Sequence, residues 1–458
     1  MLVAGALFME VLDGTIVAPA APVMAGALHV PAPAVAEVIS VYLLTVAALI
    51  PVSGWVTDRF GARRVFSAAL AGFALASALC GASTSLGVLA AARVLQGAAG
   101  SMMVPVGRLV VLRGTEKHDI IRAIAYLTWP ALLAPVGAPV LGGALTTYLS
   151  WRWIFFVNVP LGLAALPVAR RIVPRDRTGG AGRLDWAGLV LVGGCLSALM
   201  EAASGLSTGS PGGPWLVLLA LAGAGLGLAA LAHLRRSPEP LVHLGAFATR
   251  TFRASHAGGS LFRLTVSSVP FLLPLMFEQS FGWSPVRAGS MVVFLFLGNV
   301  GIKPLTTPLL HHVNFRSVLA VSCAAEAITL VLLGMVTPTT PFTVLAALLV
   351  LSGVFRSVGF TAYNTLAFAD IDQEQMRDAN TLSSTLQQLA AGLGVAAGAV
   401  ALKLGEAVSA GHGPHGLTAY RTAFLAMAAL LVPPVAEAVR LPGHAGAALR
   451  QGAARPQR

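Results

Sequence analysis

Two acids, Glu10 and Asp13, stand three residues apart inside a long apolar run near the start of the chain. That spacing is close to one helical turn, so on a helix the two carboxyls share a face. In apolar surroundings an ionised carboxylate is costly; it must be protonated, paired with a cation, or turned towards a wet cavity. A carboxyl so placed is suited to loading and releasing a proton. Arg93 lies deep in another apolar run and keeps its charge, so it needs an acid or a carbonyl as partner. Two roles are open to these three residues: proton exchange at Asp13 or Glu10 tuned by Arg93, or a static tie between helices. Further along, the cations Arg263, Lys303 and Arg356 and the acid Glu326 also lie in apolar runs. One acid neutralises at most one of the three cations, which leaves positive charge facing the acids near the start.

Other chemistries have no residues to carry them. The chain has no phosphate-binding GxxxxGK[ST] loop and no HExxH pair. No catalytic residues and no enzyme activity are expected. Cys80, Cys195 and Cys323 each fall in an apolar run without ligand spacing and read as small core residues. His412 and His415 stand among glycine and proline, and no metal site is expected there.

The elements that hold these groups follow from composition. Hydrophobic residues make up 56% of the 458 and charged residues 10%, whereas soluble chains carry about 25% charged residues. So few charges cannot cover a water-facing surface, and lipid must be the solvent for most of the chain. The 49 glycines and 28 prolines suit membrane helices, which use close packing and kinks. A bilayer-spanning helix needs about 20 mostly apolar residues. Fourteen such runs are legible, at roughly 2–28, 35–56, 65–84, 86–109, 122–147, 153–170, 184–204, 214–233, 255–279, 287–309, 316–336, 342–364, 380–405 and 420–440. The first run lacks a basic leader and contains two acids, so it reads as a span and not as a cleavable signal.

Charge placement tests the count. With a cytoplasmic N-terminus, the inner loops and tail hold 22 of the 30 Lys and Arg residues, among them Arg175, Arg177, Arg450, Arg455 and Arg458, and the outer loops hold three. This is the positive-inside asymmetry, and one missed span would reverse it downstream. The net charge of +12 therefore reflects orientation and contact with anionic lipid, and nucleic acid is not an expected partner. Asp370, Asp372, Glu374, Arg377 and Asp378 read as a solvated mixed-charge loop. A repeat is also present: the segment Gly54–Phe66 matches Thr307–Leu319 at a constant offset, with Gly61 opposite Asn314 and Arg63 opposite Arg316. Both Gly61 and Asn314 tolerate a left-handed turn. Two related halves around a central cavity are a common plan of secondary transporters.

Five motifs in order resemble the major facilitator superfamily, in its fourteen-span drug:proton antiporter branch of the EmrB/QacA type. Leu12-Asp13-Gly14-Thr15-Ile16-Val17 with Ala21-Pro22 is similar to that branch's first-span motif, and Arg93-Val94-Leu95-Gln96-Gly97 to its fourth-span motif. Gly54, Asp58, Arg59, Gly61, Arg63 and Arg64 resemble the signature loop, while Pro135, Pro139, Gly142 and Gly143 resemble the fifth-span antiporter motif. Trp151 to Gly162, with Asn158 and Pro160, is similar to the branch's mark before the sixth span. The chain departs from the pattern at Ala18, where the branch has Asn, and at Ala134 and Ala138, where it has glycine. A methyl group at those two positions should stiffen the fifth span or hold its neighbour away.

The resemblance implies an all-α polytopic membrane protein of the major facilitator fold: two six-helix bundles plus two extra central helices. Residues 1–175 form the first bundle, 176–250 the linking pair, 251–442 the second bundle and 443–458 a short basic cytoplasmic tail. It implies a proton-coupled antiporter that exports drugs or other amphiphilic small molecules by alternating access, with no cofactor. Asp13, Glu10 and Arg93 are the expected coupling groups; Arg263, Lys303, Glu326, Arg356 and Gln96 the substrate cavity; the signature loop and Pro135, Pro139, Gly142 and Gly143 the gating elements. The expected partners are a small-molecule substrate, protons and membrane lipid, for a monomer in a bacterial-type inner membrane with both termini cytoplasmic. The alternatives are a transporter of one defined metabolite, such as an organic acid or siderophore, and a non-transporting membrane sensor.

Overall fold

In the computed structural model, residues 1–174, 182–207, 213–408 and 416–449 are described. Arg175, Arg177, His412, His415, Arg450, Arg455 and Arg458 lie outside them, as do the side chains of Ala18 and Pro139. Every regular element among the described residues is helical, with α1 (Leu2–Leu28), α2 (Ala32–Leu49), α3 (Ser53–Phe60), α4 (Ala62–Ala82), α5 (Leu86–Arg113), α6 (Ile120–Tyr148), α7 (Trp153–Phe156) and α8 (Asn158–Ile172) in the first part. A central pair follows, α9 (Trp186–Ser207) and α10 (Gly213–Arg236). The last part comprises α11 (Arg250–Gln279), α12 (Pro285–Gly301), α13 (Lys303–His312), α14 (Phe315–Met335), α15 (Phe342–Leu366), α16 (Met376–Val408), α17 (Leu417–Ala429) and α18 (Val432–Arg440).

Each of the fourteen apolar runs falls on helix. Among the described residues, by length and composition 11 helices can cross a membrane, and up to 13 when two bent pairs each count as one span. The fifth run coincides with α6, which is 29 residues long. Outward faces carry large apolar side chains, such as Val190 at 66%, Leu221 at 64% and Leu228 at 71% exposure. Water would not leave such surfaces free, so lipid covers them.

The first bundle is built by α1 on α6, α5 between α2 and α4, and α8 on α4. The second pairs α12 with α15, α11 with α16, and α14 with α15 and α17. Between them, α9 packs on α2 of one bundle and α16 of the other, while α10 lies on α9. Asp185 ties this pair together: it accepts Gly188 N at 2.8 Å, His233 Nε2 at 2.8 Å and Leu241 N at 3.1 Å. Burial pushes its carboxyl pKa up, but these hydrogen bonds prevail and hold it below the usual carboxylate range.

The sequence repeat survives as structure. Helix α4 and helix α14 both have 21 residues and begin and end at the same offset. The residue before each helix differs from expectation in one respect. Gly61 has φ 82°, in the left-handed region that favours glycine, whereas Asn314 is extended at φ −68°. Asn314 caps α14 instead, its side chain accepting Ser317 N at 2.8 Å, so its polar group does the work there and no left-handed turn is needed.

Helices α12 and α15 cross at backbone distance. A Cβ on Gly353 would collide with the carbonyl of Leu295, and one on Gly298 with that of Val350. We expect Gly353→Val to destabilise the second bundle by about 3 kcal/mol or more, seen as lost monodisperse protein and a lowered Tm. Gly289→Ala, on α12 with nothing within 4 Å, should change neither.

Candidate functional site

Asp13 lies in the middle of α1, wholly buried, and the helices around it deliver three polar side chains to it. Arg93 Nη1 of α5 meets its Oδ2 at 2.5 Å. Gln96 Nε2, one turn further on α5, donates to Oδ1 at 2.9 Å, and Asn158 Nδ2 at the start of α8 donates to the same oxygen at 2.8 Å. Gln96 also accepts from Arg93 at 2.8 Å and approaches Ser77 Oγ of α4 at 2.7 Å. The guanidinium of Arg93 stacks 4.3 Å over the Tyr42 ring of α2. A single carboxylate thus links α1, α4, α5 and α8, and any change in its charge is felt by four helices.

This geometry relocates two residues. Gln96, expected in the substrate cavity, is wholly buried and belongs to the Asp13 cluster. Asn158, quoted above only as part of a motif, is a direct partner of the carboxylate. Its signal was present: an amide at the head of a membrane helix needs a buried partner. Glu10 stands outside the cluster. Its charge is in range of Arg108 on α5 as well as of Asp13, and its Oε2 is buried with no hydrogen-bond partner.

The cations of the second half gather around α11 and α15. Arg263 Nη2 donates to Asn364 Oδ1 at 2.9 Å and lies 4.5 Å over the Phe360 ring. Lys303, the first residue after a 44° bend between α12 and α13, donates to Thr361 Oγ1 at 2.7 Å. Arg356 Nη1 donates to the Val266 carbonyl at 3.0 Å. Glu326 accepts from Ser352 Oγ at 2.9 Å, lies in charge range of Arg356 and leaves Oε2 buried without a partner.

The signature loop joins the two halves. Asp58 is ion-paired with Arg377 at the start of α16, and Arg377 Nε also holds Asp378 at 2.8 Å. A Cβ on Gly54 would meet Thr381 Oγ1 at 2.8 Å, so only glycine allows α16 this close. Nearby, Asn380 Nδ2 donates to the Pro105 carbonyl at 2.9 Å. Arg377 and Asp378 are therefore not part of a solvated loop as the sequence suggested: they are about three-quarters buried, because α16 brings them onto the other half. Arg59 and Arg64 are exposed and Arg63 half-buried. On α6, Gly142 lets α1 approach, its Cβ position lying 3.0 Å from the Ile16 carbonyl, while Gly143 has nothing within 4 Å. Pro135 is half-buried, and Ala134 and Ala138 are wholly buried with Ile16 and Val17 of α1 in one apolar cluster. The two methyls fill the α1–α6 seam, and α6 runs unbroken through them.

Known proteins share this plan. The profile described as Major Facilitator Superfamily matches residues 3–395. A protein of Cronobacter sakazakii, named MdtD and provisionally assigned to multidrug resistance, is 37% identical over 396 residues, covering 86% of this chain and 83% of its own. An MdtD of Citrobacter koseri is 33% identical over 444 residues, covering 96% and 94%. Among solved structures, the human organic anion transporter MFSD10 superposes with TM-score 0.69 at 15% identity, covering 95% of this chain and 98% of its own. A bacterial homologue of the iron transporter ferroportin, in an outward-facing state, gives 0.66 at 14%, covering 96% and 98%. At such identities the likeness speaks for the fold alone. The helix order, the five motifs and the relatives agree: the chain belongs to the Major Facilitator Superfamily.

Proposed function

We propose that the chain is a proton-coupled antiporter that exports drugs or other amphiphilic small molecules by alternating access. The observation that carries this reading is the buried Asp13 with its ring of Arg93, Gln96 and Asn158. A proton arriving at Asp13 cancels the charge that these donors serve and leaves Arg93 without a counter-charge. Such a loss costs about 3–5 kcal/mol, enough to favour a different packing of α1 against α5 and α8. Proton loading thereby changes the shape of the first bundle. The relatives named for multidrug resistance support export of foreign amphiphiles.

The positive-inside asymmetry supports a cytoplasmic position for both termini and the Gly54–Arg64 loop. Asp58 and Arg377 tie the halves together on that side, as alternating access requires of the state in which substrate leaves on the other side and a proton enters. No cofactor takes part; the proton gradient supplies the work. A monomer in lipid suffices, since both bundles lie in one chain.

Purified protein in liposomes tests this. A proton-rich interior should drive uptake of at least one amphiphile of a panel that includes ethidium and fluorescein, and adding that compound outside should raise the lumen pH read by an entrapped dye. Flux that ignores the gradient for every compound of a panel would defeat the reading.

A further inference from the structure

We propose that Arg263, Lys303 and Arg108 form an anion-binding site at the junction of the two halves, and that the molecule it takes carries a carboxylate, sulfonate or phosphate group. This rests on the reading of the chain as an exporter of small amphiphiles and names the charge of its cargo.

The charges near the junction do not balance. Arg108, Arg263, Lys303 and Arg356 are four cations; Glu10 and Glu326 are the acids in charge range of them. Glu326 lies in charge range of Arg356 and Glu10 in charge range of Arg108, but among the described residues neither makes an ion pair there. Among the described residues no carboxylate comes within ion-pair distance of Arg263, Lys303 or Arg108. Arg263 and Lys303 are each only 6% exposed. Their partners are neutral: the Asn364 amide for one and the hydroxyls of Thr361 and Thr128 for the other. A guanidinium has five N–H donors, and a single amide oxygen leaves most of them idle. Buried charges of one sign without a counter-ion are costly, and an anionic ligand removes that cost.

The cations also converge. Thr361 and Asn364 lie one turn apart on α15, so Lys303 and Arg263 reach the same stretch of that helix. Arg108 comes from α5 of the other half and donates to Gln387 of α16, the helix that packs on Arg263's own α11. Phe360 holds the flat face of Arg263 and leaves the guanidinium edge for a carboxylate, sulfonate or phosphate, whose paired oxygens match it. Two of the three cations make bonds across the junction: Arg108 to Gln387 at 3.3 Å and Lys303 to Thr128 at 3.4 Å. Both are long for such bonds. An anion would draw these cations away from Gln387 and Thr128, so occupancy bears directly on the contacts between the halves.

The test uses full-length protein in detergent and two dyes that share a xanthene core, anionic fluorescein and cationic rhodamine 123, read by fluorescence polarisation. Fluorescein should bind the more tightly, and Arg263→Gln should weaken it by about tenfold or more while rhodamine 123 changes by less than about twofold. Arg263→Lys should retain most of the affinity. Equal or better binding of rhodamine 123, or equal effects of Arg263→Gln on both dyes, overturns the site. If Arg263→Gln does not elute as folded protein, Lys303→Gln is read by the same criteria. Binding needs no pH gradient, so a failure of proton-coupled export leaves this readout intact. Export of cations without fluorescein binding overturns the anion site alone.

Discussion

Asp13→Asn should abolish gradient-driven flux, by about 100-fold or more, while the protein still reaches the membrane. The substitution keeps the size of the side chain and removes the group that can change charge. Gln96 and Asn158 can still donate to the amide oxygen, since both bonds converge on Oδ1. What is lost is the counter-charge of Arg93, which faces Oδ2. Substrate exchange without a gradient should persist, because moving the cavity from side to side then needs no proton. Asp13→Glu, which keeps the charge but displaces it, should retain part of the coupling. Normal proton release by Asp13→Asn on addition of substrate would remove Asp13 from the mechanism. The two relevant readouts are an entrapped pH dye and counterflow of labelled substrate.

Arg377→Asp should be nearly as damaging, for a different reason. Arg377 stands between Asp58 of one half and Asp378 beside it, so reversal of its sign leaves three acids together. A charge-assisted bond of this kind is worth about 1.5–3 kcal/mol. Its loss alone shifts the balance of the two states by about tenfold to a hundredfold, and repulsion adds to that. The junction should open at the Gly54–Arg64 loop and transport should collapse. The double variant Asp58→Arg with Arg377→Asp restores opposite charges and should recover a substantial share of activity. A thiol placed at Thr381, 3% exposed, reports the opening directly, since Cys80, Cys195 and Cys323 are buried. Faster labelling in the single variant, reversed in the double, is the expected result. Unchanged labelling would show that the pair does not hold the halves together.

The two substitutions probe parts of the molecule that were legible to different degrees. Asp13 and Arg93 announced themselves, because a charge in an apolar run needs a partner, and few other charges were free to serve. Their pairing across 80 residues needs only that α1 and α5 be neighbours. Arg377 gave no such signal. In sequence it sits among four acids near the end of a loop, and that pattern is what a solvated segment looks like. Its partner is 319 residues away and reaches it only because Gly54 lets α16 come close. Gln96 shows the same limit from the other side. A polar residue in a membrane helix must face something polar, but the rotation of α5 decides whether that is a cavity or a buried acid.

What this chain's sequence determined by itself was its solvent, its spans, its two-fold repeat and the small set of charges that lipid could not accommodate alone. Those follow from local composition and period, which act over a turn or a span. Tertiary structure decided the partners: Asn158 and Gln96 on Asp13, Glu10 in charge range of Arg108, Arg377 on Asp58, and Arg263 and Lys303 with no acid to meet them. Partner choice depends on which helix faces lie together, and helix rotation and approach are set by packing across the whole fold, at positions such as Gly54, Gly142 and Gly353, whose local sequence says only that a side chain is missing.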